Sequence, residues 1–244
     1  MSNDPRYAIY YAPAPASDLD RFGAELLGYD AFTGHDLPFP ESAMQIAPDW
    51  RELTGDPRKY GFHATLKAPF SLVQGKSETE LFAACAAFAA MPRAIPRFTP
   101  VVGSISGFIA VIPAEPPPQL LKLAADCVSE FDDFRAPLTE ADRARRKPSQ
   151  LTQAQREHLD RWGYPYVMEE FRFHMTLTGR LGSERREPIL AMLRNRFAST
   201  QLQTLAIDRI AVFRQENAAS RFQIVGQWEL RAALERQGRS GELR

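Results

Sequence analysis

The pattern Phe-His-x-Thr-Leu occurs twice, at Phe62-His63-Ala64-Thr65-Leu66 and at Phe173-His174-Met175-Thr176-Leu177, with the histidines 111 residues apart. Side chains alternate across an extended strand, so each copy has one apolar and one polar face. Phe62, Ala64 and Leu66 share a side, and His63, Thr65 and Lys67 share the other. The second copy sorts Phe173, Met175 and Leu177 against Arg172, His174, Thr176 and Thr178. A chain that makes such a strand twice needs core behind it and solvent in front of it in two related halves.

The flanking order repeats as well. After the first copy, Ser77 and Glu80 give a capping-box pattern ahead of Leu81, Cys85 and Phe88, and the helix ends before Pro92. Phe98 to Ile105 and Phe108 to Ile112 then read as a hairpin around Ser106-Gly107. After the second copy, Ser183 opens a helix carrying Ile189, Leu193 and Phe197. The runs Leu205 to Phe213 and Phe222 to Leu230 flank the turn Gln215-Glu216-Asn217-Ala218. Each histidine lies about 43 residues before the middle of its hairpin turn, which marks an internal duplication.

This organisation predicts a single two-lobed domain over 1–244, with repeat units at about 60–113 and 170–230. Between them, at about 116–163, lies a structured helical connector. It holds a helix with Leu120, Leu123, Cys127 and Phe131, the basic run Arg143-Ala144-Arg145-Arg146-Lys147-Pro148, and a short helix capped by Thr152 and Gln155 and ended by Gly163. Ahead of the first unit come a strand at 6–11, a helix near 17–28, and an aperiodic Gly-, Pro- and Asp-rich stretch over 30–60 that reads as a long loop covering a site.

Thirty basic and thirty acidic residues cancel, so no global field draws the chain to nucleic acid or to an anionic membrane. No apolar run reaches the length of a bilayer span, and the N-terminus has neither a basic nor an apolar leader region. A cytoplasmic location is expected. Cys85 and Cys127 fall on apolar helix faces and read as buried thiols. His35, in the Gly34-His35-Asp36 turn, and His158, on a polar helix, have no partner motif and read as exposed.

Two histidines facing one another suit general acid/base chemistry on a phosphate ester. One neutral imidazole takes a proton from the attacking water, and the other, protonated, supplies the departing alkoxide. Thr65 and Thr176 would project beside them and donate to the non-bridging oxygens. Lys67 and Arg172, on the same faces, would bind the substrate phosphate. No His-x-His or cysteine pair has metal-ligand spacing, so neither a metal nor a cofactor is expected. Gly103-Ser104-Ile105-Ser106-Gly107 lies in a hairpin, which disfavours a nucleophile elbow.

The paired motifs resemble the 2H phosphoesterase superfamily, which includes RNA 2′,3′-cyclic phosphodiesterase/ligase-like proteins. Further segments, among them Arg6 to Tyr11, Gly28 to Gly34, Tyr60 to Phe70, Phe134 to Leu138, Arg145-Arg146 and Trp162 to Val167, resemble the branch labelled putative phosphonate-metabolism protein. The resemblance implies a bilobal α+β fold with antiparallel sheets and a central cleft. It also implies metal-independent cyclic phosphodiester hydrolysis, with His63 and His174 as proton carriers and Thr65 and Thr176 as phosphate donors. The phosphonate association points to a small sugar or ribosyl cyclic phosphate. An RNA or nucleotide 2′,3′-cyclic phosphate, with Tyr7, Tyr10 or Tyr60 stacking the base, is the alternative substrate, and a non-catalytic module binding a phosphorylated ligand is a further reading.

Overall fold

The computed structural model describes residues 4–233; residues 1–3 and 234–244, at the ends of the expected 1–244 domain, lie outside the described residues. The strands are β1 (Arg6–Tyr11), β2 (Ala64–Ser71), β3 (Arg97–Phe98), β4 (Pro100–Ile105), β5 (Phe108–Pro113), β6 (Met175–Thr176), β7 (Leu205–Ala206), β8 (Arg209–Gln215) and β9 (Gln223–Glu229). The helices are α1 (Asp18–Leu27), α2 (Glu41–Ile46), α3 (Trp50–Leu53), α4 (Gly55–Arg58), α5 (Glu78–Ala90), α6 (Pro118–Glu130), α7 (Glu140–Arg145), α8 (Gln153–Trp162) and α9 (Ser183–Ala198). The fold is α+β, and its strand pairs are antiparallel.

Seven strands form one sheet in the order β4-β5-β6-β2-β1-β8-β9, and β3 pairs with β7 separately. The two motif strands, β2 and β6, are therefore neighbours at the middle of the sheet. The hairpin that follows the first motif, β4-β5, adds to β6, whereas β8-β9, which follows the second, adds to β1 beside β2. The helices cross over in the same way, α5 packing on β8 and β9 and α9 on β4. Each motif strand is thus completed by the helix and hairpin that follow the other one.

Alternation along β1 divides the interior. Tyr7, Ile9 and Tyr11 enter the main core with Phe22 of α1, Cys85 and Phe88 of α5 and Leu193 of α9. Ala8, Tyr10 and Ala12 enter a smaller cluster with Tyr29, Ala31, Ala211, Phe213 and Phe222. Each large apolar side chain fully buried in this way contributes about 1.5–3 kcal/mol. Cys85 and Cys127 are buried free thiols, and burial pushes the Cys85 thiol up to about 12.

The local end signals hold where they are physically complete. Ser77 with Glu80 and Thr152 with Gln155 make reciprocal capping boxes on α5 and α8. Gly28 ends α1 at φ 65, and a Cβ there would stand 2.5 Å from the Phe39 ring. That leaves glycine as the residue that fits both backbone and neighbour.

The expected loop over 30–60 contains α2, α3 and α4. Its order comes from tertiary contacts at the end of α1, whose last carbonyls lack intrahelical donors. The buried Trp50 indole N–H donates to Leu26 O (2.8 Å), and Arg58 Nε donates to Leu27 O (2.6 Å). Such contacts leave no periodic trace in sequence. His35 is exposed, but His158 is half-buried, with Nε2 3.0 Å from Glu169 Oε1. Among the described residues no helix is long and apolar enough to cross a membrane.

Candidate active site

Ala64 of β2 pairs with Met175 of β6. Continuing this antiparallel register by one residue each way sets His63 opposite Thr176 and Thr65 opposite His174. Successive residues alternate faces, so these four share one face while Ala64 and Met175 point into the core. The two histidines are diagonal neighbours, and such positions stand roughly 7–8 Å apart. The register thus gathers both imidazoles and both threonines on one patch of the sheet.

Both imidazoles are held in the same way. Nδ1 of His63 lies 2.9 Å from Gly61 O, and Nδ1 of His174 lies 2.7 Å from Arg172 O, each a carbonyl two residues upstream. A carbonyl only accepts, so each Nδ1 carries the hydrogen and each Nε2 is left with its lone pair. Nε2 of His63 is 3.4 Å from Thr65 Oγ1. Gly61 holds φ 75, the turn that presents its carbonyl to the ring.

Aromatic side chains from the flanking strands back each ring. Tyr10 of β1 stacks on His63 at 3.8 Å between centroids, and Phe108 of β5 lies 5.5 Å from His174. Burial above all, with a smaller contribution from the nearby His174, lowers the His63 pKa to about 4 against the raising effect of the Gly61 carbonyl. Burial also lowers His174, with the Arg172 carbonyl opposing. The free protein therefore presents two neutral imidazoles at neutral pH.

The two expected cations lie elsewhere. Tyr10 pairs with Thr65 but Ile9 pairs with Lys67, so two residues of β2 oppose one of β1. This bulge reverses the alternation and puts Lys67 on the core side, where it is 3% exposed. Its ammonium donates to Val128 O and to Asp132 Oδ1, both at 2.9 Å. Arg172 is exposed and precedes β6, with its guanidinium donating to the carbonyls of Glu169 (2.9 Å) and Phe171 (2.8 Å). At the ring, Arg172 contributes its backbone carbonyl.

Of the three tyrosines considered for base stacking, Tyr7 faces the main core. Tyr10 touches His63, and Tyr60 stacks on Phe222 with centroids 5.2 Å apart and lies 6.0 Å from His63. Phe108 carried no sequence signal beyond its place in a hairpin. It shares a face with Ala110, which pairs with Thr176, and only that sheet order brings it to the ring.

Comparisons with known proteins fall into three groups. The protein named Ribose 1,5-bisphosphate phosphokinase PhnN from Janthinobacterium sp. (strain Marseille) is 37% identical over 248 residues, covering 96% of this chain and 54% of its own length. The protein of the same name from Laribacter hongkongensis (strain HLHK9) is 31% identical over 221 residues, covering 90% and 50%. The chain spans about half the length of these curated relatives. Similar solved structures include E. coli LigT complexed with 3′-AMP (13% identity, 93% of this chain, 98% of that chain, TM-score 0.42). Another is a phosphoesterase (14% identity, 93% and 99%, TM-score 0.40). At these identities and TM-scores the likeness assigns neither chemistry nor residues. Residues 65–223 match the model of the family described as protein of unknown function (DUF1045). That segment is more than half of the chain and runs from the first threonine of the site through the second motif to β9, and the chain belongs to that family.

Proposed function

We propose that the chain is a metal-independent phosphodiesterase that opens a cyclic phosphate ester by acid/base catalysis between His63 and His174. The carrying observation is the pair of carbonyl-anchored imidazoles on adjacent antiparallel strands, each with its Nε2 lone pair turned away from the anchoring carbonyl. One Nε2 accepts a proton from water as its oxygen attacks phosphorus. The opposite P–O ester bond breaks, and the other imidazole, protonated on Nε2, delivers its proton to the leaving alkoxide. Thr65 and Thr176 donate to the non-bridging oxygens as charge builds there. The proton that makes the acid arrives with substrate, because a bound phosphodiester anion raises the proton affinity of a neighbouring imidazole.

The substrate we assign is a small ribosyl cyclic phosphate linked to phosphonate metabolism, and a cytoplasmic setting suits it. The balanced formal charge of the chain supports a small molecule over a long polyanion. Opening a 1,2-cyclic phosphate on 5-phosphorylated ribose at the bond to O2 leaves ribose 1,5-bisphosphate, the compound for which both curated relatives are named. The stack of Tyr60 on Phe222 near His63 supports a nucleotide 2′,3′-cyclic phosphate as a second reading.

One experiment separates these readings. The protein, His63→Ala and His174→Ala are each incubated with EDTA and a panel of sugar and nucleotide cyclic phosphates. The expected outcome is turnover that resists EDTA, favours the ribosyl substrate, and falls roughly 100-fold or more in either variant. Full activity in either variant would sink the proposal. Binding without turnover by the unaltered protein would leave a phosphorylated-ligand module.

A further inference from the structure

The second histidine has little strand to hold it. β6 is only Met175–Thr176, so His174 stands one residue outside the paired segment, and its ring depends on the carbonyl of Arg172, 2.7 Å from Nδ1. In the first half the anchoring carbonyl belongs to Gly61, whose N–H donates to Arg58 O (3.3 Å) in the turn that follows α4. The corresponding support for Arg172 comes from the connector.

The side chain of Arg172 provides the first link. Its Nη1 folds back to donate to the carbonyls of Glu169 (2.9 Å) and Phe171 (2.8 Å), which ties the anchoring residue to the short helical turn Met168–Glu170. That turn opens at Met168 with φ 51, a left-handed conformation that a residue with a Cβ adopts only under constraint. The constraint is on α8. Gln155 and His158, three residues apart on one face of that helix, meet the two acidic residues of the turn. Gln155 Nε2 donates to Glu170 Oε2 (2.9 Å), and His158 Nε2 lies 3.0 Å from Glu169 Oε1.

The amide of Gln155 has two tasks. A capping box accepts Glu or Gln at its third position, and Gln155 Oε1 takes the Thr152 N–H (3.2 Å) as either residue would. Only an amide has a donor left over for Glu170, whereas a glutamate would set two carboxylates against each other.

We propose that α8 of the connector is a clamp that positions His174: Gln155 and His158 hold the Met168–Glu170 turn, and Arg172 passes that hold to the carbonyl that anchors the ring. The inference rests on the two-histidine reading for the role of His174. It adds three positioning residues that act through the histidine and not on the substrate, and Arg172, expected to bind phosphate, is one of them.

Nitrogen-15 NMR of the full chain at pH ~7.5 reads the tautomer of each neutral imidazole. In the unaltered protein both His63 and His174 should carry the proton on Nδ1. Gln155→Glu and Arg172→Met should each leave His174 exchanging between tautomers while His63 keeps its Nδ1 proton. Gln155→Glu combined with Glu170→Gln returns a donor and an acceptor to the contact and should restore His174. An unchanged His174 signature in either single variant overturns the inference. An equal change at His63, or failure of the combined exchange to restore His174, marks a general loosening and overturns it too.

Turnover of a ribosyl cyclic phosphate supplies the functional half. In Gln155→Glu and Arg172→Met, kcat should fall roughly 10- to 100-fold with KM little changed, as expected of a displaced proton carrier, and should recover in the combined exchange. A loss carried by KM alone would make Arg172 a substrate ligand and overturn its positioning role. A variant-dependent tautomer change in a protein without turnover upholds the clamp and removes the two-histidine chemistry.

Discussion

Anchoring Nδ1 to a carbonyl two residues upstream fixes the ring angle, the tautomer and the direction of the free lone pair of each histidine. A partly buried imidazole is a poor cation, so the free protein holds its base ready and lacks its acid. This ordering has a pH signature. The pKa of His63 is lowered to about 4, and that of His174 also falls below its ordinary value of 6.5. The singly protonated pair therefore dominates only in an acidic window. The kcat/KM profile should rise from pH ~4, peak below 6.5 and fall toward neutrality. The alkaline limb of kcat should lie higher, because bound phosphate favours the imidazolium. Superimposable profiles, or a kcat/KM maximum above pH ~7.5, would contradict that electrostatic picture. At this scale the sequence named both histidines and both threonines through a repeated string. Phe108 stayed silent, and Tyr10 reads in sequence as a partner for a substrate base and not for His63, because each reaches its ring from a neighbouring strand.

Among the elements, β2 shows how one extra residue redirects a side chain. Strict alternation assigns Lys67 to the face of His63, and the bulge against Ile9 turns it into the core. There Asp132 receives Lys67 Nζ and Arg135 Nε on one carboxylate, at 2.9 and 2.8 Å. The network ties the first motif strand to the end of α6. Removing one partner from a buried pair strands the other. Lys67→Met leaves Asp132 with Arg135, whereas Asp132→Asn leaves a buried ammonium without its anion. Urea unfolding should therefore show a loss of roughly 1–2 kcal/mol for Lys67→Met and roughly 3 kcal/mol or more for Asp132→Asn. The reverse order would mean that the pair does not carry the load assigned to it. Helix caps at Ser77 and Thr152 were legible because a capping box is local. The order over 30–60 was not, because it depends on carbonyls of α1.

Across the whole molecule, the exchange of hairpins makes neither motif strand self-sufficient. β2 relies on β1 and β8-β9, and β6, only Met175–Thr176, relies on β5 and β2. The main core draws on α1, α5, α6 and α9 together. We therefore propose that the two repeat units and their connector unfold as one. Circular dichroism and tryptophan fluorescence should give coincident urea transitions, with Trp50 buried in the main core and Trp228 packed against it. Separate transitions would indicate that the units fold independently.

The sequence by itself determined what is local and periodic: two His-x-Thr segments, the parity of their faces from the histidine to the threonine, the capped helices, and a repeat pointing to antiparallel halves. Tertiary structure decided that the motif strands lie side by side, that each is completed by the other's hairpin, and that a bulge buries Lys67. The division has a physical reason. Strand parity and capping depend on residues within a few positions of one another, whereas sheet order, bulge register and the partner of a charge depend on which distant surface can be buried against which.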